Sequence, residues 1–318
     1  MKKILSIVLA ALMLFALVSC SGGAKMTMGT GGPQGTYYSY GGILGTHIKS
    51  VTGMTVNVVS TDGSKANILG IDAGNYQLGT VQSDVMAYAW AGSRSFEQEG
   101  KIDSFRTIGG LYAEAVQLIT MDPAIKSGAD LKGRTVSIGA PGSGVYFNAI
   151  DVLTAAGLTE QDIKAQYQSF GDSADSLKDG KIDAAFIVAG APTPAITELC
   201  TATKSAYLVP IDGDIAAKLM ADCPFYTTYK IPAGTYEGQT EDVETVTVKA
   251  TLIVSADASE DDVYALTAAI FDHIETITAA HAKGAELSLE NATDGMTAPF
   301  HAGAAKYFAE KGSTVDTE

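Results

Sequence analysis

The run Val243-Glu244-Thr245-Val246-Thr247-Val248-Lys249-Ala250-Thr251-Leu252-Ile253-Val254-Ser255 decides the fold. Val243, Thr245, Thr247 and Lys249 alternate with Val246, Val248 and Ala250. That period of two, in a β-branched stretch, predicts one long strand. A second β-rich run, Thr107 to Thr120, reads as one extended segment in mid-chain. About half of the α/β material lies between the two runs. The expected arrangement is two lobes joined by two antiparallel crossing strands. Lobe 1 then comprises residues 26–112 plus 250–318, and lobe 2 residues 113–249. The hinge is expected near Tyr112 to Ala115 and Lys249 to Thr251.

Outside these runs, strand and helix patterns alternate. Met26 to Met28, Met54 to Val59, Leu78 to Val81, Thr135 to Ile138 and Ala184 to Val188 read as strands. Tyr37 to Val51, Asn67 to Ala73, Asp84 to Ala91 and Val145 to Ala156 read as helices. The alternation predicts an α/β fold with mostly parallel sheets. After the second crossing the chain turns helical. Ser259 caps a helix opening on Glu260, Asp261 and Asp262, as the helix dipole prefers. That helix is expected to run to near Lys283-Gly284, and a last one from beyond Pro299 to about Lys311.

The first twenty residues read as an address. Lys2 and Lys3 precede an apolar run, Ile4 to Val18, too short for a comfortable membrane span. It ends at Leu17-Val18-Ser19-Cys20. This resembles a bacterial lipoprotein signal covering residues 1–19, with lipid attachment at Cys20 and a tether over residues 20–25. Plain secretion is the alternative. The body is expected outside the cytoplasmic membrane, where ATP and NAD pools are absent.

Composition narrows the class further. There are 36 acidic and 21 basic residues, a net charge of −15, which argues against a nucleic-acid partner. Hydrophobic residues at 46% and charged residues at 18% exclude a largely disordered chain.

Small polar residues gather where strands become helices, the place where open α/β sheets hold ligands. The loops are Gly29-Thr30-Gly31-Gly32-Pro33-Gln34-Gly35-Thr36-Tyr37-Tyr38, Ser60-Thr61-Asp62-Gly63-Ser64, Val81-Gln82-Ser83-Asp84, Gly139-Ala140-Pro141-Gly142-Ser143-Gly144 and Val188-Ala189-Gly190-Ala191-Pro192-Thr193. Ordinary caps and turns explain any one of them. Five such loops over two lobes favour a ligand cleft.

Catalytic readings find little support. Gly142-Ser143-Gly144 lacks the spacing of a nucleophile elbow. The first loop is neither a P-loop nor a dinucleotide fingerprint. His47, His273, His281 and His301 form no His-Glu-x-x-His pair, and His273 and His281 are expected on helix surfaces. Asp212-Gly213-Asp214 reads as a solvated turn rather than a calcium loop. No metal or cofactor is expected. Cys200 and Cys223 are either a disulfide or two separate buried thiols.

The loop Gly29 to Tyr37, Ser64 with Asn67, Val81-Gln82-Ser83-Asp84, Gly139 to Gly144 with Asn148, Asp183-Ala184-Ala185-Phe186 before Gly190, and Ile231 to Tyr236 occur in this order. Together they resemble the TAXI family of TRAP transporter solute-binding subunits over nearly the whole mature chain. The resemblance implies a two-lobed periplasmic-binding-protein fold, type II-like, closing on a small acid or amino acid such as glutamate, glutamine or 2-oxoglutarate. It implies delivery to an ion-gradient-driven permease. Carried over by motif, the ligand contacts are Gly31, Tyr37, Ser64, Gln82, Asp84, Gly142, Ser143, Gly144, Asn148 and Gly190. Val145 stands where many family members have a hydroxyl, removing one hydrogen bond. With only Arg94, Arg106 and Arg134 in the chain, none placed in the cleft by a motif, an acid is expected to be held by helix N-termini and hydroxyls. Two other readings stand beside this one: a binding lipoprotein of an ABC importer for sulfonates or thiamine precursors, and a secreted hydrolase using Ser143.

Overall fold

The computed structural model describes residues 24–318. The expected signal and Cys20 lie outside the described residues. One mixed sheet holds ten strands in the order β2-β1-β3-β10-β4-β7-β5-β6, with β8 on β4 and β9 on β10. In the first half, β1 (Lys25–Gly29) pairs in parallel with β2 (Thr55–Val59) and β3 (Leu78–Gln82). The helices between them are α1 (Thr36–Thr52) and α2 (Ser64–Asp72), and α3 (Ser83–Ala91) follows β3. Then β4 (Phe105–Thr120) leaves this half and enters the next.

The second half contains β5 (Thr135–Ser137), α4 (Val145–Ala155), β6 (Lys164–Gln166), α5 (Phe170–Lys178), β7 (Ala184–Ala189) and α6 (Pro194–Thr203). It continues through β8 (Tyr207–Val209), α7 (Gly213–Asp222) and β9 (Thr227–Ile231). Strand β10 (Val243–Ser255) returns, and α8 (Glu260–Phe271), α9 (Ile274–Ala280), α10 (Leu289–Thr293) and α11 (Ala302–Glu310) complete the first half. The Asp212-Gly213-Asp214 segment is thus a helix start rather than a free turn.

The long strands pair antiparallel from Thr247↔Ala115 to Ser255↔Phe105. Their register shifts between Ala250↔Tyr112 and Thr251↔Gly110, so Leu111 is an extra residue. Such a bulge bends and twists a strand locally. The hydrophobic clusters divide at the same place. Met28, Tyr40, Leu44, Leu252, Leu266 and Phe308 belong to one core, while Leu118, Val136, Val152, Phe186 and Val246 belong to another.

Two details differ from the sequence reading. The helix opened by Ser259 stops at Phe271, where Asp272 accepts a hydrogen bond from Tyr307 and pairs with Lys311. His273 and His281 flank α9 half-buried, against His47 and Tyr40 respectively, rather than on helix surfaces. Cys200 and Cys223 are free thiols in different apolar clusters.

Asn67 ties the first-half loops together. Its fully buried amide donates to the Thr30 and Thr80 carbonyls at 2.6 and 2.7 Å and accepts from Thr61 at 2.7 Å. Orphaning buried carbonyls costs about 1–3 kcal/mol each. Asn67→Ala is therefore expected to lower unfolding free energy by about 2–4 kcal/mol in a urea titration. A loss under about 0.5 kcal/mol, the range of neutral surface changes, would show that Asn67 is not a tie.

Candidate functional site

Strand ends and helix starts from both halves converge on a cleft of about 490 Å³. Its size suits a small organic solute. One wall carries Gly31, Thr36 and Tyr37 before and within α1, then Thr61, Asp62 and Ser64 at the start of α2. The other carries Ala140, Ser143, Gly144 and Val145 at the start of α4, Phe170 of α5, and Val188 and Ala189 of β7. Gln82 and Glu114 complete the lining.

Three of these helices begin on glycine. Gly35, Gly63 and Gly144 are the N-caps of α1, α2 and α4, and none supplies a side-chain cap. Helix N-termini carry partial positive charge and unspent N–H groups. Ser64 and Ser143 stand beside two of them. The Ser143 hydroxyl donates to the Ala140 carbonyl at 2.7 Å, which leaves its lone pairs as acceptors. None of the four His lines the cleft. His47 and His301 bond to backbone carbonyls, and His281 faces Ser39. No His reaches Ser143, so a Ser–His hydrolase site is not assembled here.

Of the residues expected to touch ligand, Gly31, Tyr37, Ser64, Gln82, Ser143 and Gly144 line the cleft. Asp84, Gly142, Asn148 and Gly190 do not. Asn148 and Asp84 are fully buried behind it. Gln82 donates to Asn148 Oδ1 at 2.6 Å, and Asn148 Nδ2 donates to Asp84 Oδ2 at 3.0 Å and to the Tyr226 hydroxyl at 2.6 Å. Gly142 offers its carbonyl to Ala66 N at 3.3 Å, and the Gly190 carbonyl accepts from Thr36 Oγ1 at 2.7 Å. Each of these four residues bonds across the two halves.

Arg94 joins the same network. Its guanidinium pairs with Asp151 of α4 at 2.5 Å, with the Tyr88 hydroxyl at 2.8 Å, and stacks on the Tyr88 ring. Arg106 bonds backbone carbonyls and Arg134 pairs with Asp122. No Arg or Lys lines the cleft.

Sequence reading missed Glu114. It is 2% exposed, its Oε1 has no partner, and it lies on the cleft floor. Burial pushes its carboxyl well above the usual range, opposed first by the neighbouring Tyr37 hydroxyl, with Asp84 adding to the rise and Lys283 opposing it. The buried Tyr37 hydroxyl lies beside Glu114 and Ser64, close enough to act on both, but in neither direction at full hydrogen-bond geometry. A signal was available: Glu114 is the single charged residue between Thr107 and Thr120, in a strand apolar enough to be buried.

The fold and cleft define the class: a two-lobed α/β fold of the periplasmic-binding-protein kind. Among solved structures, the chain is similar to the alkanesulfonate-binding protein SsuA from Xanthomonas axonopodis pv. citri bound to MOPS, with a TM-score of 0.51 and 16% identity, covering 92% of each chain. It is similar to PhnD1 from Prochlorococcus marinus (MIT 9301) in complex with methylphosphonate, with a TM-score of 0.53 and 12% identity, covering 78% of this chain and 84% of that one. A binding protein component of an ABC phosphonate transporter from Pseudomonas aeruginosa gives a TM-score of 0.52 and 10% identity, covering 82% of this chain and 78% of that one. The chain belongs to the NMT1-like family, which it matches over residues 28–312.

Two outcomes follow from the contacts between the halves. A Cβ on Gly144 would lie 1.5 Å from Gln82 Oε1 and 2.8 Å from a Val85 methyl. Gly144→Ala is therefore expected to wedge the halves apart. Small-angle scattering should give a larger radius of gyration than wild type, and an unchanged radius would contradict this reading.

Burial raises the Asp84 carboxyl from 3.8 to about 6, against the pull of Asn148 and backbone N–H groups, with Asp151 adding to the rise. The folded state therefore holds this proton more tightly than the unfolded state does. Stability conferred by the protonated form is present at low pH and is lost as pH rises from about 3.8 to about 6. Melting temperatures of wild type should fall relative to Asp84→Asn across that window and track it above. Parallel curves throughout would contradict the assignment.

Proposed function

We propose that this protein is an extracytoplasmic solute-binding protein that traps a small polar solute between its lobes and presents the closed form to a membrane permease. The observation that carries this is the cleft itself, where glycine-capped helix starts from both halves meet. A solute touching both walls binds the closed form better and so raises its population. Residues 26–112 with 250–318 and residues 113–249 are the moving bodies, turning about the Leu111 bulge. Gly31, Tyr37, Ser64, Gln82, Ser143 and Gly144 are the solute contacts in this reading. Asp84, Gly142, Asn148 and Gly190 act in closure. Anchoring through Cys20 would keep the protein beside its permease.

The likeness to ABC importer binding proteins supports an ATP-driven partner. The motif resemblance to TAXI subunits favours an ion-gradient-driven TRAP permease, with glutamate, glutamine or 2-oxoglutarate as the solute type. Solute uptake by cells carrying the protein and its permease separates the two. Inhibition by vanadate is expected for the ABC arrangement. Collapse by an ionophore with vanadate resistance would assign the TRAP arrangement instead. Binding itself is checked by melting the protein with candidate solutes, since a ligand at a hundredfold excess over Kd stabilises by about 2.7 kcal/mol. Absence of any shift with a concentrated small-molecule extract of growth medium would sink the proposal.

A further inference from the structure

The charges around the cleft point to the chemistry of its solute. Two ionisable carboxyls line it, Asp62 at the exposed rim and Glu114 on the buried floor, and among the described residues no cationic side chain does. Lys283, the cation acting on Glu114 through space, is itself buried and already paired with Glu286 at 2.5 Å. Glu114 Oε1 and the Tyr37 hydroxyl are neighbours in a nearly dry place, neither with a partner at full hydrogen-bond geometry. Leaving such groups unmatched is costly, and a native fold rarely does so without a use.

Without solute, burial holds the Glu114 carboxyl toward its neutral form, which offers an oxyanion one proton at most, whereas a cation beside it would draw it back to the carboxylate. A protonated amine supplies the missing charge and up to three donors, enough to satisfy Glu114 and engage Tyr37 at once. The helix starts on both walls have the complementary character. Those of α1 and α2 on one wall and of α4 on the other lack a side-chain cap, and their N–H groups suit a carboxylate, apart from Ala66 N, which donates to the Gly142 carbonyl.

We propose that the cleft selects solutes carrying a protonated amine, which pairs with the Glu114 carboxylate, while an anionic end of the same solute sits at the glycine-capped helix starts. This rests on the solute-binding reading above and narrows it. Oxyanions without an amine, sulfonates, phosphonates and 2-oxo acids among them, are expected to bind more weakly.

The test is a thermal-shift and calorimetric panel on the full mature chain. It holds the protein amino acids, their 2-hydroxy and 2-oxo counterparts, putrescine, methanesulfonate and methylphosphonate. At least one amine-bearing solute is expected to bind, with its amine-free counterpart at least about 30-fold weaker. Glu114→Gln should weaken the amine-bearing solute by a similar factor, about 2 kcal/mol, because a buried charge loses its partner. Without solute, Glu114→Gln should melt no lower than wild type, since an isosteric amide removes a buried acid. Tyr37→Phe, which keeps the ring packing, should cost a smaller factor and supplies a second variant.

Tight binding of an amine-free oxyanion that Glu114→Gln leaves intact would overturn the proposal and keep solute capture. So would a shift from growth-medium extract that survives removal of amines on a cation exchanger. No shift from the panel or from whole extract would overturn both readings.

Discussion

The pairing of β4 with β10 is the constraint on which the molecule depends. These two strands run through both halves of the sheet, and every other strand is placed by them directly or through a neighbour. Their hydrogen bonds carry the chain from one core to the other without an interruption of the sheet. The pairing has two irregularities near the junction, the extra residues Leu111, opposite Ala250 and Thr251, and Ile108, opposite Leu252 and Ile253. In the proposed reading, bending there would change the angle between the cores while leaving each intact. Glu114 lies just past the Leu111 bulge, opposite Val248. The one acid of this buried strand thus stands where the two halves meet.

Around this junction the polar side chains divide into two kinds. Gln82, Asn148, Asp84, Tyr226, Asp151 and Arg94 are bonded chiefly to one another across the halves. Their hydrogen bonds satisfy groups that would face water if the halves separated, so each contributes modestly to the closed form. Tyr37 and Glu114 retain unmatched atoms facing the cleft. In the proposed function the first set would give the closed arrangement its geometry, and the second would meet the solute.

Much of the fold was legible because its main signals are local. Alternation in Val243 to Ser255 marked a long strand, and helix starts announced themselves by glycine and hydroxyl loops. The site was legible only in part. Ser64, Ser143 and Gly144 sit at helix starts, which sequence locates well. Asn148 and Asp84 share the same motifs, but helical periodicity turns them behind the cleft, where they meet each other. Whether Asn148 faced a solute or Gln82 depended on how closely the halves approach, and that is set by long-range packing. Arg94 found Asp151, 57 positions away, for the same reason. Glu114 was overlooked because attention fell on loops, whereas its signal was a lone charge inside an apolar strand.

The most direct test of the account is the distance between the two halves in solution. Spin labels introduced by non-cysteine chemistry at the exposed Lys49 of α1 and Lys178 of α5 report one half each. The account predicts two distance populations, with bound solute shifting nearly all molecules to the shorter one. A single distance that stays unchanged when solute saturates the protein would contradict it.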